Sequence, residues 1–375
     1  MTEVCMPGYD CFRCIADQCS FTCCMQWKIS VDEKTEALWK ERGRGECVTT
    51  VEDSRVIRLN EERNCPYLTD NKLCSLVIKE GDDAIPHTCK IFPRQVHVFK
   101  KHTENALVAC CPEVLDLMKT LKPSDWTFLE NVTESFVLSV RNEGMKVCLS
   151  PERKGHDSVR AYFYILLDLL KREKTVKRSG KYEEKMKNFL KDDISELPAL
   201  LKAISGLPHD PYDSLTEVNE LLLDLSENYR EKGIYTDVLE PVCELAEALE
   251  EEGICEEDVK DRKIFNGWIS SYDAFFKEYL VCELFADGLL PDSDLTDLTV
   301  MIQWIAMEYA VIRHAIFLLW REKGKNLSWE EIRTVMVVFA RMTGYDIGDI
   351  YEFFENSFDD VVWEWGYLDL ILALD

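Results

Sequence analysis

The spacing of apolar residues divides the chain into two parts. Beyond Pro123, apolar side chains recur every three to four positions, which is the period of a helix that buries one face. Before Pro123 the pattern is irregular, and only the short segments 25–31 and 55–60 have the character of regular elements. The pattern predicts helices over seven segments of the second part: 159–170, 197–204, 215–229, 238–249, 265–284, 300–320 and 329–342.

Start and stop residues mark several of these helices. Ser214 with Glu217, and Ser328 with Glu331, have the spacing of a capping box, in which the hydroxyl and the carboxylate accept hydrogen bonds from free amides. Three glycines that follow periodic segments are placed as helix stops: Gly233, Gly253 and Gly324. The second part is therefore predicted to be all-α.

A chain of 375 residues is expected to contain two regions, because a single core rarely grows beyond about 250 to 300 residues. We predict a cysteine-rich, metal-binding region over 1–122, with turn signals at Gly81 and Pro93, and an acidic helical region over 123–375. The chain has no G-x-G-x-x-G motif and too few predicted strands for a doubly wound sheet. The predicted fold class is mainly α, without a Rossmann sheet.

Twelve of the sixteen cysteines lie between residues 5 and 111. Thiols at this density indicate either a metal centre or a set of disulfides. The N-terminal sequence MTEVCMPGYDC has neither the basic nor the apolar segment of a secretory signal, so we expect a cytoplasmic protein. Because cytoplasmic thiols are kept reduced, the pattern favours a metal centre.

Clustered thiolates without paired histidines are typical ligands of zinc or of an iron-sulfur cluster. Zinc sites usually show two CxxC steps, and this chain has one, from Cys11 to Cys14, so we favour an iron-sulfur cluster and keep zinc as the alternative. Cys11 is not counted among the predicted metal ligands, because better-placed thiols follow it. Adjacent side chains diverge, so we expect one of Cys23 and Cys24 to ligate while the other packs or belongs to a second site. The predicted ligands are Cys14, Cys19, Cys23, Cys24, Cys65, Cys74, Cys89 and Cys111. The scattered cysteines are interpreted as small apolar side chains: Cys5, Cys47, Cys148, Cys243, Cys255 and Cys282.

The formal net charge is -26, and it is concentrated beyond residue 120, where 28 Lys and Arg stand against 51 Asp and Glu. Such a field repels phosphate backbones and anionic lipids, so neither nucleic acid nor a membrane is expected as a partner. The most apolar stretch, 302–320, contains Glu308, Arg313 and His314, and we interpret it as a buried helix. No G-x-S-x-G or H-E-x-x-H motif occurs, which argues against serine hydrolases and zincins.

The run from 14 to 29, CIADQCSFTCCMQWKI, resembles the opening of the flagellin lysine-N-methylase family, whose shared domain is named for its cysteines. Three further blocks occur in the family's order: NCPYL at 64–68 with LC at 73–74, TCKIFPR at 88–94, and CCPE at 110–113. The resemblance continues more weakly through EYL at 278–280, Tyr309 and AR at 340–341. It thus extends over nearly the whole chain.

The resemblance implies methyl transfer from S-adenosylmethionine to lysine side chains of a protein, with flagellin as the expected substrate. Such chemistry requires a neutral lysine amine, hence a nearby acid or tyrosine, and a cationic sulfonium favours an aromatic ring or a carboxylate. No catalytic residue is assigned. Two alternatives stay open: a non-catalytic metal-cluster adaptor or redox sensor, and a methylase relative that acts on another protein. The predicted cofactor contacts are Trp27, Arg94, Tyr279 and Arg341.

Overall fold

Helices make up most of the structure, a computed structural model that describes residues 2–51, 54–128, 135–176, 181–344, 346–357 and 364–373. This confirms the mainly α prediction. The helices are α1 (Glu33–Glu41), α2 (Ser75–Glu80), α3 (His87–Ile91), α4 (Pro112–Met118), α5 (Phe136–Leu149), α6 (Gly155–Glu173), α7 (Tyr182–Ile204), α8 (Pro211–Glu231), α9 (Thr236–Glu252), α10 (Glu256–Ile269), α11 (Asp273–Ala286), α12 (Leu295–Glu322), α13 (Trp329–Met342), α14 (Ile347–Ser357) and α15 (Trp365–Leu372).

The central element is α12. It packs against α6, α8, α9, α10, α11, α13, α14 and α15. By length and composition it is the one helix in the described ranges that could cross a membrane, but 94% of its most apolar window is buried inside the fold. A helix that is apolar on all sides needs partners on all sides, which explains its central position. The interpretation of 302–320 as a buried helix is confirmed.

The strands lie in the cysteine-rich part. They are β1 (Thr2–Cys5), β2 (Val48–Val51), β3 (Ser54–Ile57), β4 (Arg94–Val98) and β5 (His102–Leu107). One sheet has the order β1-β5-β4, with β5 parallel to β1 and antiparallel to β4, and β2 pairs antiparallel with β3. Across the described residues no Rossmann-like sheet is present, as predicted. The segment 25–31 contributes only isolated bridges, and 55–60 overlaps β3.

Two hydrophobic cores organise the part of the chain that the structure describes. The larger one joins the helices after residue 135 to apolar side chains of 4–12 and 106–126. The smaller one lies within 29–89 and is built around Trp39, Ile57 and Leu76. The sheet strands β1 and β5 therefore pack on the helical core, while the segment between them carries a core of its own. The division at residues 122 and 123 stays a prediction.

The two predicted capping boxes have different outcomes. At Ser328 the hydroxyl accepts the amide of Glu331, and the Glu331 carboxylate accepts the amide of Ser328, so α13 begins as predicted. The box at Ser214 is wrong, because α8 begins at Pro211 and Asp210 caps it through the amide of Tyr212. Proline at the first helical position and aspartate before it are the stronger start signal. The stops Gly233, Gly253 and Gly324 all adopt positive φ after their helices.

The helix predicted over 265–284 is interrupted. Residues 270–272 form a single 3-10 turn that separates α10 from α11. The hydroxyls of Ser270 and Ser271 donate to the carbonyls of Gly267 and Trp268, and such side-chain bonds compete with the helix ladder. The predicted segment 197–204 is the last part of the longer helix α7.

Candidate active site

Three polar side chains share one face of helix α11 and its C-terminal end. Tyr279, Glu283 and Asp287 are spaced by four residues, and side chains at this spacing lie above one another along a helix. Tyr279 and Glu283 are buried, and Asp287, directly after the last helical residue, is half-buried. Because α11 is buried on all sides, this polar face lies inside the protein.

Glu308 of α12 meets this face. Its carboxylate accepts hydrogen bonds from the hydroxyls of Tyr279 and Thr343, so both oxygens are engaged. Thr343 follows α13, and its hydroxyl oxygen also lies 2.8 Å from the carbonyl oxygen of Phe339. The site is thus built from α11, α12 and the end of α13, three segments that are distant along the chain.

The other two carboxylates are bound from the strand side. Glu283 accepts the backbone amide of Ala109, which follows β5. Asp287 accepts the side-chain amide of Gln95 in β4 at 3.0 Å, and the neighbouring His97 lies 2.7 Å from the carbonyl of Ala286 through Nε2. In the described part of the chain, no Lys or Arg forms an ion pair with any of the three carboxylates. We call Tyr279, Glu283, Asp287 and Glu308 the acidic site.

Burial without a paired cation raises the pKa of the carboxyl groups in the acidic site. Burial raises the pKa of the Glu308 carboxyl to about 7, against the hydrogen bonds from Thr343 and Tyr279 that lower it. Burial, together with the nearby Glu308 and Asp287, raises the pKa of Glu283 well above its usual range. The pKa of Asp287 is raised by burial as well. The site therefore holds protons at neutral pH that ordinary carboxylates have lost.

This arrangement can perform two tasks. A group of buried carboxylates attracts a cation, either an ammonium or a sulfonium, because the cation would replace the missing counter-charge. A carboxyl whose pKa lies near 7 can also take and release a proton at physiological pH, which is the requirement for a general base. Strongly shifted groups of this kind concentrate at functional sites.

Arg341 connects α13 to the cysteine motif. From α13 its guanidinium donates to the carbonyls of Cys110, Thr22 and Phe21 at 3.3, 3.4 and 3.2 Å. It also lies 4.5 Å from the ring centre of Phe21 and 5.0 Å from that of Trp27. The structure thus brings together two of the predicted cofactor contacts, Trp27 and Arg341. Their contact with a cofactor stays a prediction.

The remaining two predicted contacts lie in different surroundings. Tyr279 is part of the acidic site, where its hydroxyl is engaged by Glu308 and its ring is fully buried. Arg94 begins β4 and faces the N-terminal segment, where its guanidinium lies 5.4 and 5.2 Å from the ring centres of Tyr9 and Phe12 and donates to the Phe12 carbonyl. Cofactor binding by Tyr279 and by Arg94 stays a prediction.

Three members of the acidic site are not predicted from the sequence: Glu283, Asp287 and Glu308. A signal for two of them exists, since acids at 283 and 287 continue the four-residue spacing from Tyr279 within a segment that is otherwise apolar. From the sequence, Glu308 is only a charge inside an apolar stretch. Its proximity to Tyr279 depends on how α11 and α12 pack, which periodicity does not report.

All sixteen cysteines are free thiols, and the predicted ligands separate into two groups. Cys24, Cys65, Cys74 and Cys89 lie around the smaller core and are electrostatic neighbours, and we call them the inner thiols. The backbone supports this grouping, because the amide of Cys65 donates to the carbonyl of Cys24 at 2.8 Å and Leu68 bridges to Cys74. The second group is Cys14, Cys19 and Cys111.

Cys23 adjoins the inner thiols. Its thiol donates to the sulfur of Cys24, and this hydrogen bond lowers the pKa of Cys24 to about 7. Cys47, interpreted from the sequence as an isolated apolar side chain, lies beside Cys65 and packs against the same core.

The inner thiols match a metal centre in their chemistry and number. Four thiolates are a complete ligand set for zinc or for an iron-sulfur cluster. As the side chains stand, however, no group of three or more His, Cys, Asp or Glu residues within the described ranges is arranged to hold a metal ion. The ligand set, the identity of the metal and its presence stay predictions.

Comparison with known proteins shows which family this chain belongs to. Residues 158–370, more than half of the chain, match the family model described as the FliB lysine N-methylase C-terminal domain. The chain belongs to the FliB lysine N-methylase family. The matched range contains α10 to α13, and with them the acidic site. The resemblance inferred from the cysteine blocks is therefore confirmed.

Curated relatives within this family cover parts of the chain. The flagellar biosynthetic protein FliU of Salmonella muenchen is 32% identical over 116 residues, which are 28% of this chain and 68% of that protein. The lysine-N-methylases of Salmonella choleraesuis and Salmonella typhimurium are each 27% identical over 175 residues, or 42% of this chain. The chain spans 43% of the length of either lysine-N-methylase. No solved structure matches the chain.

Proposed function

We propose that this protein is a lysine N-methyltransferase that modifies flagellin and uses S-adenosylmethionine as the methyl donor. The observation that carries the proposal is the acidic site: buried carboxylates without a counter-cation, one of them with a pKa near 7, in a chain of the FliB lysine N-methylase family. Family membership supports lysine methylation, and the site supplies groups suited to a cationic amine. We place the reaction in the cytoplasm.

The acidic site provides the proton transfer. A lysine ammonium has a pKa of about 10.4, so the amine must lose a proton before its lone pair can attack. Binding of the ammonium would favour release of the protons held by Glu283 and Asp287, so that their carboxylates balance its charge. Glu308 would accept the proton of the amine while Tyr279 and Thr343 orient its carboxylate. Trp27 and Arg341 are two of the predicted contacts of S-adenosylmethionine, which would supply the methyl group. The bond to the lysine nitrogen would form as the carbon–sulfur bond breaks with its electron pair kept on sulfur.

We further propose that the inner thiols hold the metal centre, with an iron-sulfur cluster favoured over zinc. Cys24, Cys65, Cys74 and Cys89 surround the smaller core, which is formed by few apolar side chains. A metal bound there would tie that core together, as structural metals do in small domains. The role proposed for the metal is structural.

The deciding experiment measures methyl transfer with purified, metal-loaded protein. Flagellin from the host organism and S-adenosylmethionine with a labelled methyl group are the substrates, and intact and peptide mass spectrometry locate added methyl masses on lysines. Glu308→Gln should lower the rate by about 10²-fold to 10⁴-fold, the usual contribution of a general base.

Glu278→Gln is the matched control. Glu278 is a buried acid of α11, is 3% exposed and accepts the indole N–H of Trp126 at 2.8 Å, outside the acidic site. Its variant should keep a rate within a few-fold of the parent. An unmodified flagellin would contradict the assigned substrate, and methylation of other proteins when the enzyme is added to a lysate of the host would assign a different one. Equal rates for Glu308→Gln and the parent would remove Glu308 as the base.

A further inference from the structure

Two arginines are buried side by side on the opposite flank of α12 from Glu308. Arg262 of α10 is 6% exposed and Arg313 of α12 is 4% exposed, and each guanidinium is close enough to act on the other. Arg262 lies 5.6 and 5.1 Å from the ring centres of Phe265 and Phe317. The faces of these rings attract the guanidinium, but they carry no net charge and leave the two positive charges unneutralised.

The pair lacks a counter-charge. In the described ranges no Asp or Glu forms an ion pair with either guanidinium. The acids that precede Arg262 on α10 are already occupied, since Asp258 binds Arg321 and Asp261 binds Lys325. Burial lowers the pKa of Arg262 to about 9, which still leaves it charged at neutral pH.

The hydrogen bonds that do reach the pair come from neutral groups. Arg262 Nη1 lies 3.4 Å from Nδ1 of His314, whose Nε2 lies 3.0 Å from the amide oxygen of Asn219. Burial lowers the pKa of His314 well below its usual value, so this ring is uncharged and accepts from Arg262 through Nδ1. The bond holds Arg262 in place without neutralising it.

Several donors in the same place have no acceptor. Nη2 of Arg262, Nε of Arg313 and the amide nitrogen of Asn266 are buried and unpaired. They are close together, because the amide oxygen of Asn266 lies 3.5 Å from Nη2 of Arg313 and Asn266 stands one helical turn after Arg262. Buried donors are rarely left unpaired in proteins, and each one calls for an explanation.

The geometry points to an anion-binding site formed by Arg262, Arg313 and Asn266, with a small oxyanion as its ligand. The guanidinium fork matches the two oxygens of a carboxylate, sulfate or phosphate, and such an ion would supply both the missing negative charge and the missing acceptors. Asn266 is half-buried and marks the side from which the ion enters. The site does not depend on the proposed function, and its test needs no enzymatic activity.

Calorimetric titration and thermal unfolding of the full chain test the site at constant ionic strength. Sodium sulfate, sodium phosphate and sodium acetate are the probes, and sodium chloride sets the ionic strength. We expect one ion per chain to bind, with an unfolding temperature that rises with the logarithm of oxyanion concentration. A preference for acetate over sulfate and phosphate would identify the ligand as the carboxylate of a larger molecule, and the reverse preference would identify a free inorganic ion.

Three variants connect the binding to these residues. Arg262→Met and Arg313→Met should each abolish binding, and the milder Asn266→Ala should weaken it about tenfold. Arg160→Met is the matched control, because Arg160 is 5% exposed but already paired with Asp369. It should lower the unfolding temperature and keep the full oxyanion response. The inference is overturned if no probe binds to the parent chain, or if binding persists unchanged in Asn266→Ala and in both arginine variants.

Discussion

Glu308 is the residue whose protonation connects the acidic site to stability. Its pKa rises from an ordinary value near 4.5 to about 7 on folding, because burial disfavours the charged form. A raised acid pKa means that the folded state holds its proton more tightly than the unfolded state. The stabilisation of the folded state by this proton is full below pH 4.5 and is lost as the pH rises to about 7.

The ligand-free protein should therefore lose stability relative to Glu308→Gln across this pH range. The loss should be about 2 to 3 kcal/mol between pH 4.5 and 7.5, from roughly 1.4 kcal/mol for each unit of pKa shift. Urea unfolding at several pH values measures the free energy of unfolding of both proteins. Parallel curves for the two proteins would show that Glu308 titrates normally.

Arg341 allows a structural role to be separated from a cofactor role. Its guanidinium binds three main-chain carbonyls of the cysteine motif and lies over Phe21 and Trp27. Arg341→Met should lower the free energy of unfolding by about 2 to 3 kcal/mol, since three buried carbonyls lose their donor. Arg341→Lys should recover little of the loss, because an ammonium cannot reproduce the planar fork. Unchanged stability with a higher KM for S-adenosylmethionine would instead support the cofactor contact predicted from the sequence.

At the scale of elements, two serines with the same sequence signature have different structural roles. Ser328 caps α13 in a complete capping box, whereas Ser214 lies inside α8 with a buried hydroxyl that has no hydrogen-bond partner. Ser328→Ala should lower the free energy of unfolding by about 1 kcal/mol, the usual value of a helix cap. Ser214→Ala should change it by less than about 0.5 kcal/mol or stabilise the protein, because an unpaired polar group is removed.

Chemical denaturation of both alanine variants checks this contrast, with Asp210→Ala as a third measurement. Asp210 caps α8, so its replacement should have an effect similar to that of Ser328→Ala. A larger loss in the free energy of unfolding for Ser214→Ala than for Asp210→Ala would instead support a start of α8 at Ser214, as the sequence pattern predicts.

At the scale of the whole molecule, the proposed metal centre of the inner thiols would hold the smaller core together. Cys89→Ser should lower the metal content of the purified protein and destabilise the smaller core, since one of four proposed ligands is removed. Cys148→Ser is the control, because Cys148 is a buried thiol of α5 in the larger core, away from the inner thiols. Elemental analysis for iron and zinc, together with visible absorption, measures the outcome. Full metal content in Cys89→Ser would remove Cys89 from the ligand set.

The sequence alone determined the features that depend on neighbours along the chain. Apolar periodicity predicted the all-α second part, the spacing of Ser328 and Glu331 predicted the start of α13, and the cysteine blocks predicted the family. It misjudged the start of α8 and the break between α10 and α11, where competing local signals stand within a few residues of one another. Only tertiary structure decided which polar groups meet in the interior. Glu308 faces Tyr279, Arg341 reaches Cys110, and Arg262 lies beside Arg313 because helices pack across long stretches of chain, and burial then shifts the charges that these contacts bring together.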